Sequence, residues 1–252
     1  MNLKSNFVST FDKSVGKMIR LFQSSLKRES NEKKSVIDYV EESSKRDSAS
    51  YALQEMQNAL VFRNKEDLWR YCLGLIESEA RRKNRTALIL EFGVWTGHSI
   101  NYMAARCPEA LFVGFDSFEG LEEDWIGTPM TKESFHTNGK IPKVRSNIEL
   151  VIGKFNQSLP RWLAESDPEE IDLVHIDSDT YQPAKFVLNK LEKILKNGSV
   201  VIFDEYFGYP SWRLNEWRAW QETIQENQVK YKYLAYSEQA VAIQIISQSS
   251  EV

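Results

Sequence analysis

The sequence is short of cysteine and histidine. Its 252 residues include two of the first, Cys72 and Cys107, and three of the second. Two cysteines are too few for a disulfide framework and point to a reducing compartment. Basic charge is not in excess either: 32 Lys and Arg stand against 36 Asp and Glu, for a net charge of −4. That argues against nucleic acid as the main partner, since phosphate binding needs a basic surface. No stretch approaches the ~18 apolar residues of a membrane span, and the first residues hold no continuous apolar run of signal-peptide length. Hydrophobic residues make up 42% and charged residues 27%, which is ordinary globular usage. The expectation is a cytoplasmic globular protein of one large domain, or of one domain with an appendage.

What is present is unevenly distributed. Residues 1–50 carry ten Lys and Arg against seven Asp and Glu, with eleven Ser, one Gly and no Pro. Phe7, Phe11, Val15, Met18, Phe22 and Leu26 recur at helical spacing among Lys4, Lys13, Lys17, Arg20 and Lys27. This is an amphipathic helix, expected to pack on its own domain or a second subunit, with a membrane surface as the alternative. A homodimer through this helix is the partner it suggests. Residues 28–50 are polar and read as a linker. The expected organisation is a helical extension over 1–50, a helical cap over 51–86 and a core over 87–252.

From residue 51 the pattern tightens into helices over 51–62 and 65–82, then alternating strands and helices. Strands are expected at 87–90, 111–115, 148–152, 171–176, 200–203, 231–236 and 240–246. Helices are expected at 98–106, 159–165, 183–195 (closed by Asn197-Gly198) and 214–227. Residues 119–142, with Gly120, Gly127, Pro129, Gly139 and Pro142, form a long loop of the kind that usually serves function. The alternation predicts an α/β fold: a doubly wound, mostly parallel seven-stranded sheet. The tightly joined last two strands place an antiparallel strand at or near one edge.

Ligands of open α/β sheets bind beyond the carboxyl ends of the strands. Those ends here read Glu91-Phe92-Gly93, Asp116-Ser117-Phe118, Asp177-Ser178-Asp179 and Asp204-Glu205. Like charges gathered on one rim cost energy unless a cation or a donor-rich ligand offsets them. The first turn lacks the Gly-x-Gly-x-x-Gly dinucleotide fingerprint, because Trp95 and His98 stand at its second and third glycine positions. It also lacks the Gly-Lys-Ser/Thr of a phosphate-binding loop. Gly93 and Gly97 instead suit a nucleoside without a pyrophosphate. Asp116, at the end of the next strand, is where a carboxylate accepts from ribose hydroxyls.

Five ordered blocks carry a family resemblance: Glu91-Phe92-Gly93-Val94-Trp95-Thr96-Gly97-His98-Ser99, Gly114-Phe115-Asp116-Ser117-Phe118-Glu119-Gly120-Leu121, Gly153-Lys154-Phe155-Asn156-Gln157-Ser158-Leu159-Pro160, His175-Ile176-Asp177-Ser178-Asp179-Thr180-Tyr181 and Val201-Ile202-Phe203-Asp204-Glu205-Tyr206. Through them residues 87–206 resemble class I S-adenosylmethionine-dependent methyltransferases with a Rossmann-like core, and more closely the macrocin O-methyltransferase (TylF-like) group. The resemblance implies methyl transfer to a hydroxyl of a small molecule, such as a sugar or other natural-product intermediate. It implies that Glu91, Gly93, Gly97 and Ser99 line the methionine part of S-adenosylmethionine, and that Asp116 holds the ribose with Ser117 and Phe118 beside the adenine. It further implies Mg2+ on Asp177, Asp204 and Glu205, with Asp177 also the general base. The family reads Asp-Gly-Asp and Asp-Asp where this chain has Asp177-Ser178-Asp179 and Asp204-Glu205. Magnesium takes oxygen ligands and keeps positions open for substrate, which suits carboxylates at neighbouring strand ends.

Competing readings are a metal-independent methyltransferase, a nicotinamide-dependent oxidoreductase, disfavoured by Trp95 and His98, and a non-catalytic cofactor-binding module. His98 is expected to line or cap its helix. His175 is expected as a satisfied buried histidine on the opposite strand face from Asp177. His136 is a candidate lid base in the long loop. Tyr206, Phe207, Tyr209 and Trp212 form either a substrate wall or core, whereas Trp217 and Trp220 are core. Both cysteines are expected to be inert packing on helices.

Overall fold

The structure, a computed structural model, describes residues 34–246. The expected amphipathic helix and the helix-mediated dimer of the first residues lie outside that range. Helix α1 (Val36–Glu55) replaces much of the expected linker. Ser35 and Asp38 start it by reciprocal hydrogen bonds, Ser35 N–H to Asp38 Oδ2 at 2.6 Å and Asp38 N–H to Ser35 Oγ at 3.2 Å. With that cap, and with no Gly or Pro between residues 36 and 55, a polar sequence stays helical. The helix ends short of residue 62, and Leu60–Val61 forms a two-residue strand, β1. Helix α2 (Lys65–Arg82) is capped by Asn64, whose side chain accepts from Asp67 N–H.

The alternation then follows the expected order: β2 (Leu88–Phe92), α3 (His98–Arg106), β3 (Leu111–Asp116), β4 (Ile148–Ile152), α4 (Phe155–Ser166), β5 (Ile171–Ile176), α5 (Tyr181–Leu191), β6 (Leu195–Phe203), a 3-10 turn (Trp212–Leu214), α6 (Glu216–Asn227), β7 (Tyr231–Tyr236) and β8 (Val241–Ile245). Helix α5 stops at Leu191, so Leu195 and Asn197-Gly198 belong to β6 and do not close a helix. Helix α4 starts at Phe155, a turn earlier than its apolar positions suggest.

The sheet has eight strands in the order β1-β7-β8-β6-β5-β2-β3-β4. The additional strand is β1, paired parallel to β7 through Leu60↔Ala235 and Val61↔Tyr236. Strand β8 runs antiparallel to both of its neighbours, two strands in from the edge. Leu90, Phe92, Phe115 and Phe203 face the cluster with Trp162 and Trp220. Ile89, Phe112, Leu173 and Ile202 face the cluster with Trp69 and Met103. Burial on both faces explains why the central strands are almost continuously apolar.

The order reverses at β2 and β5. The chain leaves β2 toward β3 on one side and returns to β5 on the other, which opens a crevice at their carboxyl ends. At the opposite ends Asp172, 4% exposed, fastens the two strands together. It accepts from Arg85 Nη1 and Nη2 at 2.7 and 2.6 Å and from Leu88 N–H at 2.8 Å. Asp172→Ala removes the acceptor of Leu88 N–H and leaves Arg85 with Glu170 and Thr86 O alone, and is expected to lower stability by about 2 kcal/mol. Chemical denaturation checks this; a loss under about 1 kcal/mol would show that the fastening is dispensable.

Candidate active site

Four strand ends meet around one cavity of about 280 Å³. The ladder extends past the strands to bring them level: Gly93 N–H donates to Phe115 O, Asp177 N–H to Phe92 O and Asp204 N–H to Ile176 O. Gly93 sits at φ +102°, and a Cβ there would lie 1.8 Å from the carbonyl oxygen of Asp177. Any side chain at residue 93 would therefore push β2 from β5 at the crevice. Asp116 shapes the same turn. Its Oδ2 accepts from Val94 and Trp95 N–H at 2.8 and 2.7 Å, and its Oδ1 from Phe118 N–H at 2.6 Å. One acceptor direction on Oδ1 is left for a ligand.

Of the residues expected at the cofactor, Gly93, Asp116 and Ser117 line the cavity, together with Trp95, Phe135 and Phe155. Glu91, Gly97, Ser99 and Phe118 do not. Gly97 is the left-handed residue at the start of α3, against Pro142. Phe118 is 4% exposed and packs in the α2/α3 core. Glu91 and Ser99 are buried and belong to a chain of polar contacts under the cavity. Ser99 Oγ donates to Glu91 Oε1 at 2.9 Å, and Glu91 Oε2 meets His175 Nδ1 at 3.0 Å. His175 Nε2 meets Asp204 Oδ1 at 3.2 Å, and Lys65 Nζ donates to Asp204 Oδ2 at 2.6 Å.

His175 is buried and satisfied, as expected, but it does not oppose Asp177. Residues two apart share a strand face, and His175, Asp177 and Asp204 bring ligand atoms within 4.8 Å of one another. Burial disfavours charge on His175, yet hydrogen bonds and attraction from Asp204 and Glu91 outweigh it and lift the pKa to about 10. Asp204 is held well below the usual carboxylate range against its burial, by His175 and then Lys65.

Asp177, Asp179 and Glu205 form a second group within 4.8 Å. Burial and the charge of Asp204 push all three carboxyls up, Asp179 to about 7. Glu216, fully buried on α6, ties the loops that carry them: its Oε1 accepts from Ser178 N–H at 3.3 Å and its Oε2 from Glu205 N–H at 3.2 Å. Burial and Asp179 raise it to about 8. Glu205 Oε2, Ser178 Oγ and Thr180 Oγ1 are buried with no hydrogen-bond partner among the described residues. Oxygen-only donors with unsatisfied capacity are the chemistry that magnesium requires.

One wall of the cavity is made by the long loop, through Gly120, Leu121, Glu122, Trp125 and Phe135. Trp95 and Phe135 meet edge to face at 5.4 Å. Tyr206, Phe207, Tyr209 and Trp212 are core, at 0%, 3%, 6% and 2% exposure. His136 is exposed, and its Nδ1 accepts from Asn138 N–H instead of facing the cavity. His98 is the first residue of α3, and both cysteines are buried free thiols. Lys65 and Glu216 carried no sequence signal, because each comes from a helix outside the strand-end pattern.

Residues 90–206 match a family model described as a methyltransferase domain. Among curated protein sequences none matches the chain. The chain is similar in structure to CalS11, a calicheamicin methyltransferase, at 20% identity and a TM-score of 0.56, over 84% of this chain and 94% of that one. It is also similar to the O-methyltransferase NovP, at 18% identity and a TM-score of 0.53, over 73% of this chain and 80% of that one. At these identities the likeness establishes the fold, and it agrees with a doubly wound sheet.

The raised His175 pKa sets a pH dependence. A folded value near 10 above an unfolded value near 6.5 contributes stability that is complete below about 6.5 and is lost as pH rises through about 10. The slope between those limits is at most about 1.4 kcal/mol per pH unit. Thermal melts in EDTA from pH 6.5 to 9 should show a falling midpoint that flattens in His175→Gln. An equal slope in the variant would remove the role given to this ion pair.

Proposed function

We propose, on the premise that residues 90–206 form an S-adenosylmethionine-dependent methyltransferase domain, that the chain transfers a methyl group to a hydroxyl of a small molecule with magnesium at the acid rim. The observation that carries this reading is one cavity lined both by the glycine turn with Asp116 and Ser117 and by the carboxyl groups of Asp177, Asp179 and Glu205. The five sequence blocks support a sugar or other natural-product hydroxyl as acceptor.

Bound S-adenosylmethionine supplies an electrophilic methyl, and bound magnesium supplies Lewis acidity. The chain's own residues do the rest. The glycine turn admits the nucleoside, and the free lone pair of Asp116 Oδ1 accepts from a ribose hydroxyl. Trp95 and Phe135 cover the nucleoside side and exclude water. Glu91 and Ser99 act from beneath by fixing His175 and the start of α3. Asp177, Asp179 and Glu205 would hold the metal, with Asp204 beside them. Asp177, which lines the cavity at the end of β5, takes the proton from the acceptor hydroxyl. Holding acceptor and donor side by side supplies the proximity that transfer needs. The ion pair of Lys65 with Asp204 favours one alternative, in which the ammonium serves in place of a metal.

Calorimetric titration of S-adenosylhomocysteine should give micromolar binding, with Asp116→Asn weaker by about tenfold or more. Unchanged binding in Asp116→Asn would sink the ribose role, and no binding by the unaltered protein would sink the cofactor reading. Methyl transfer should fall with EDTA and return with Mg2+. Undiminished transfer in EDTA would select the metal-independent alternative.

A further inference from the structure

Lys65 lies outside the matched segment, yet it reaches the acid rim from the first turn of α2. Its Nζ lies 2.6 Å from Asp204 Oδ2, while His175 Nε2 occupies the other oxygen of that carboxylate. Asp204 is thereby engaged at both oxygens by cationic donors. A few ångströms away the same rim is under-satisfied: Glu205 Oε2, Ser178 Oγ and Thr180 Oγ1 are buried without a partner. Ser178 and Thr180 are 6% and 1% exposed and line the same cavity.

The two members of the ion pair differ in freedom. The side chain of Asp204 is 1% exposed and that of Lys65 is 44% exposed. Lysine carries a compact charge on a flexible four-carbon stem, so Lys65 can swing into solvent while Asp204 and its strand stay in place. Besides Asp204, the charged groups that act on Lys65 are Asp177 and Glu205. An ammonium and a divalent cation carry the same sign and seek the same oxygens, so one disfavours the other at close range.

We propose that Lys65 is a tethered stand-in cation, which holds Asp204 while the rim is empty of metal and releases it when a divalent ion enters among Asp177, Asp179 and Glu205. This rests on the magnesium reading above and goes beyond it. Lys65 is a positioning residue that acts through Asp204. It keeps the rim folded in the absence of metal, and it makes metal binding weaker and more readily reversed.

The experiment is calorimetric titration of Mn2+ into the full chain at fixed pH, with Lys65→Met and Lys65→Arg alongside. Lys65→Met should bind Mn2+ at least tenfold more tightly than the unaltered protein and melt at a lower temperature in EDTA. Lys65→Arg, which keeps the charge, should stay within about threefold. A Lys65→Met protein that melts earlier but binds Mn2+ equally or more weakly would reduce Lys65 to a structural contact and overturn the proposal. If Lys65→Met does not fold, acetylation of Lys65 in the unaltered protein, followed by mass spectrometry, decides the matter. Saturating Mn2+ should speed the labelling at least threefold, and unchanged or slower labelling overturns the proposal. Absence of Mn2+ binding by every protein would overturn the magnesium reading and this proposal with it. Binding of equal strength in the unaltered protein and Lys65→Met would overturn this proposal alone.

Discussion

A histidine whose two ring nitrogens each meet a buried carboxyl group beneath the crevice is the interaction on which the rest of the site depends. His175 touches Glu91 on the neighbouring strand β2 and Asp204 beyond β6, so one imidazole joins three adjacent strands. Trp69 of α2 closes over it edge to face at 5.5 Å. The arrangement takes charge into a region with no solvent, which is costly unless every charge has a partner. Each does have one: Ser99 finishes the chain at Glu91, and Lys65 finishes it at Asp204. The rim above is built on this platform. Asp177 follows His175 by two residues and shares its face, and Glu205 follows Asp204 directly.

The contrast between platform and rim divides the acidic residues by function. Glu91 and Asp204 are spent on internal pairing, and Glu216 is spent on backbone N–H groups of the two rim loops. Asp177, Asp179 and Glu205 keep acceptor capacity toward the cavity, and burial raises the cost of leaving them charged and unpaired. A site of this kind is tense without ligand and relaxes when positive charge arrives.

The strand ends were legible from sequence because hydrophobic runs closed by acidic residues leave a clear period. Asp116, Asp177 and Glu205 stand where that logic puts them, at the cavity. The logic fails where burial is decided by elements far apart in the chain. Glu91 sits in the right block but faces α2 and α3, as Ile89 does, since a strand residue's face depends on its alternation and not on its distance from a glycine, and Ser99 is buried on α3 itself. Tyr206, Phe207, Tyr209 and Trp212 are aromatic in either role, and only the position of α1 and α6 shows them to be core. Strand β1 is two residues long and has no period to read. Lys65 looks like any lysine in a first helical turn until the sheet places Asp204 beneath it. The polar stretch 36–50 reads as a linker because composition does not register a helix cap.

The contact of Gly93 with the Asp177 carbonyl has a mechanical corollary. With no side chain between them, the glycine turn after β2 and the end of β5 meet backbone to backbone, and neither has slack. A displacement of one is transmitted undamped to the other. The floor of the crevice therefore behaves as a single rigid plate, and any change in the shape of the cavity falls to the long loop that lines it. Divergence among related chains should accumulate in that roof, while the plate tolerates change only by compensated pairs.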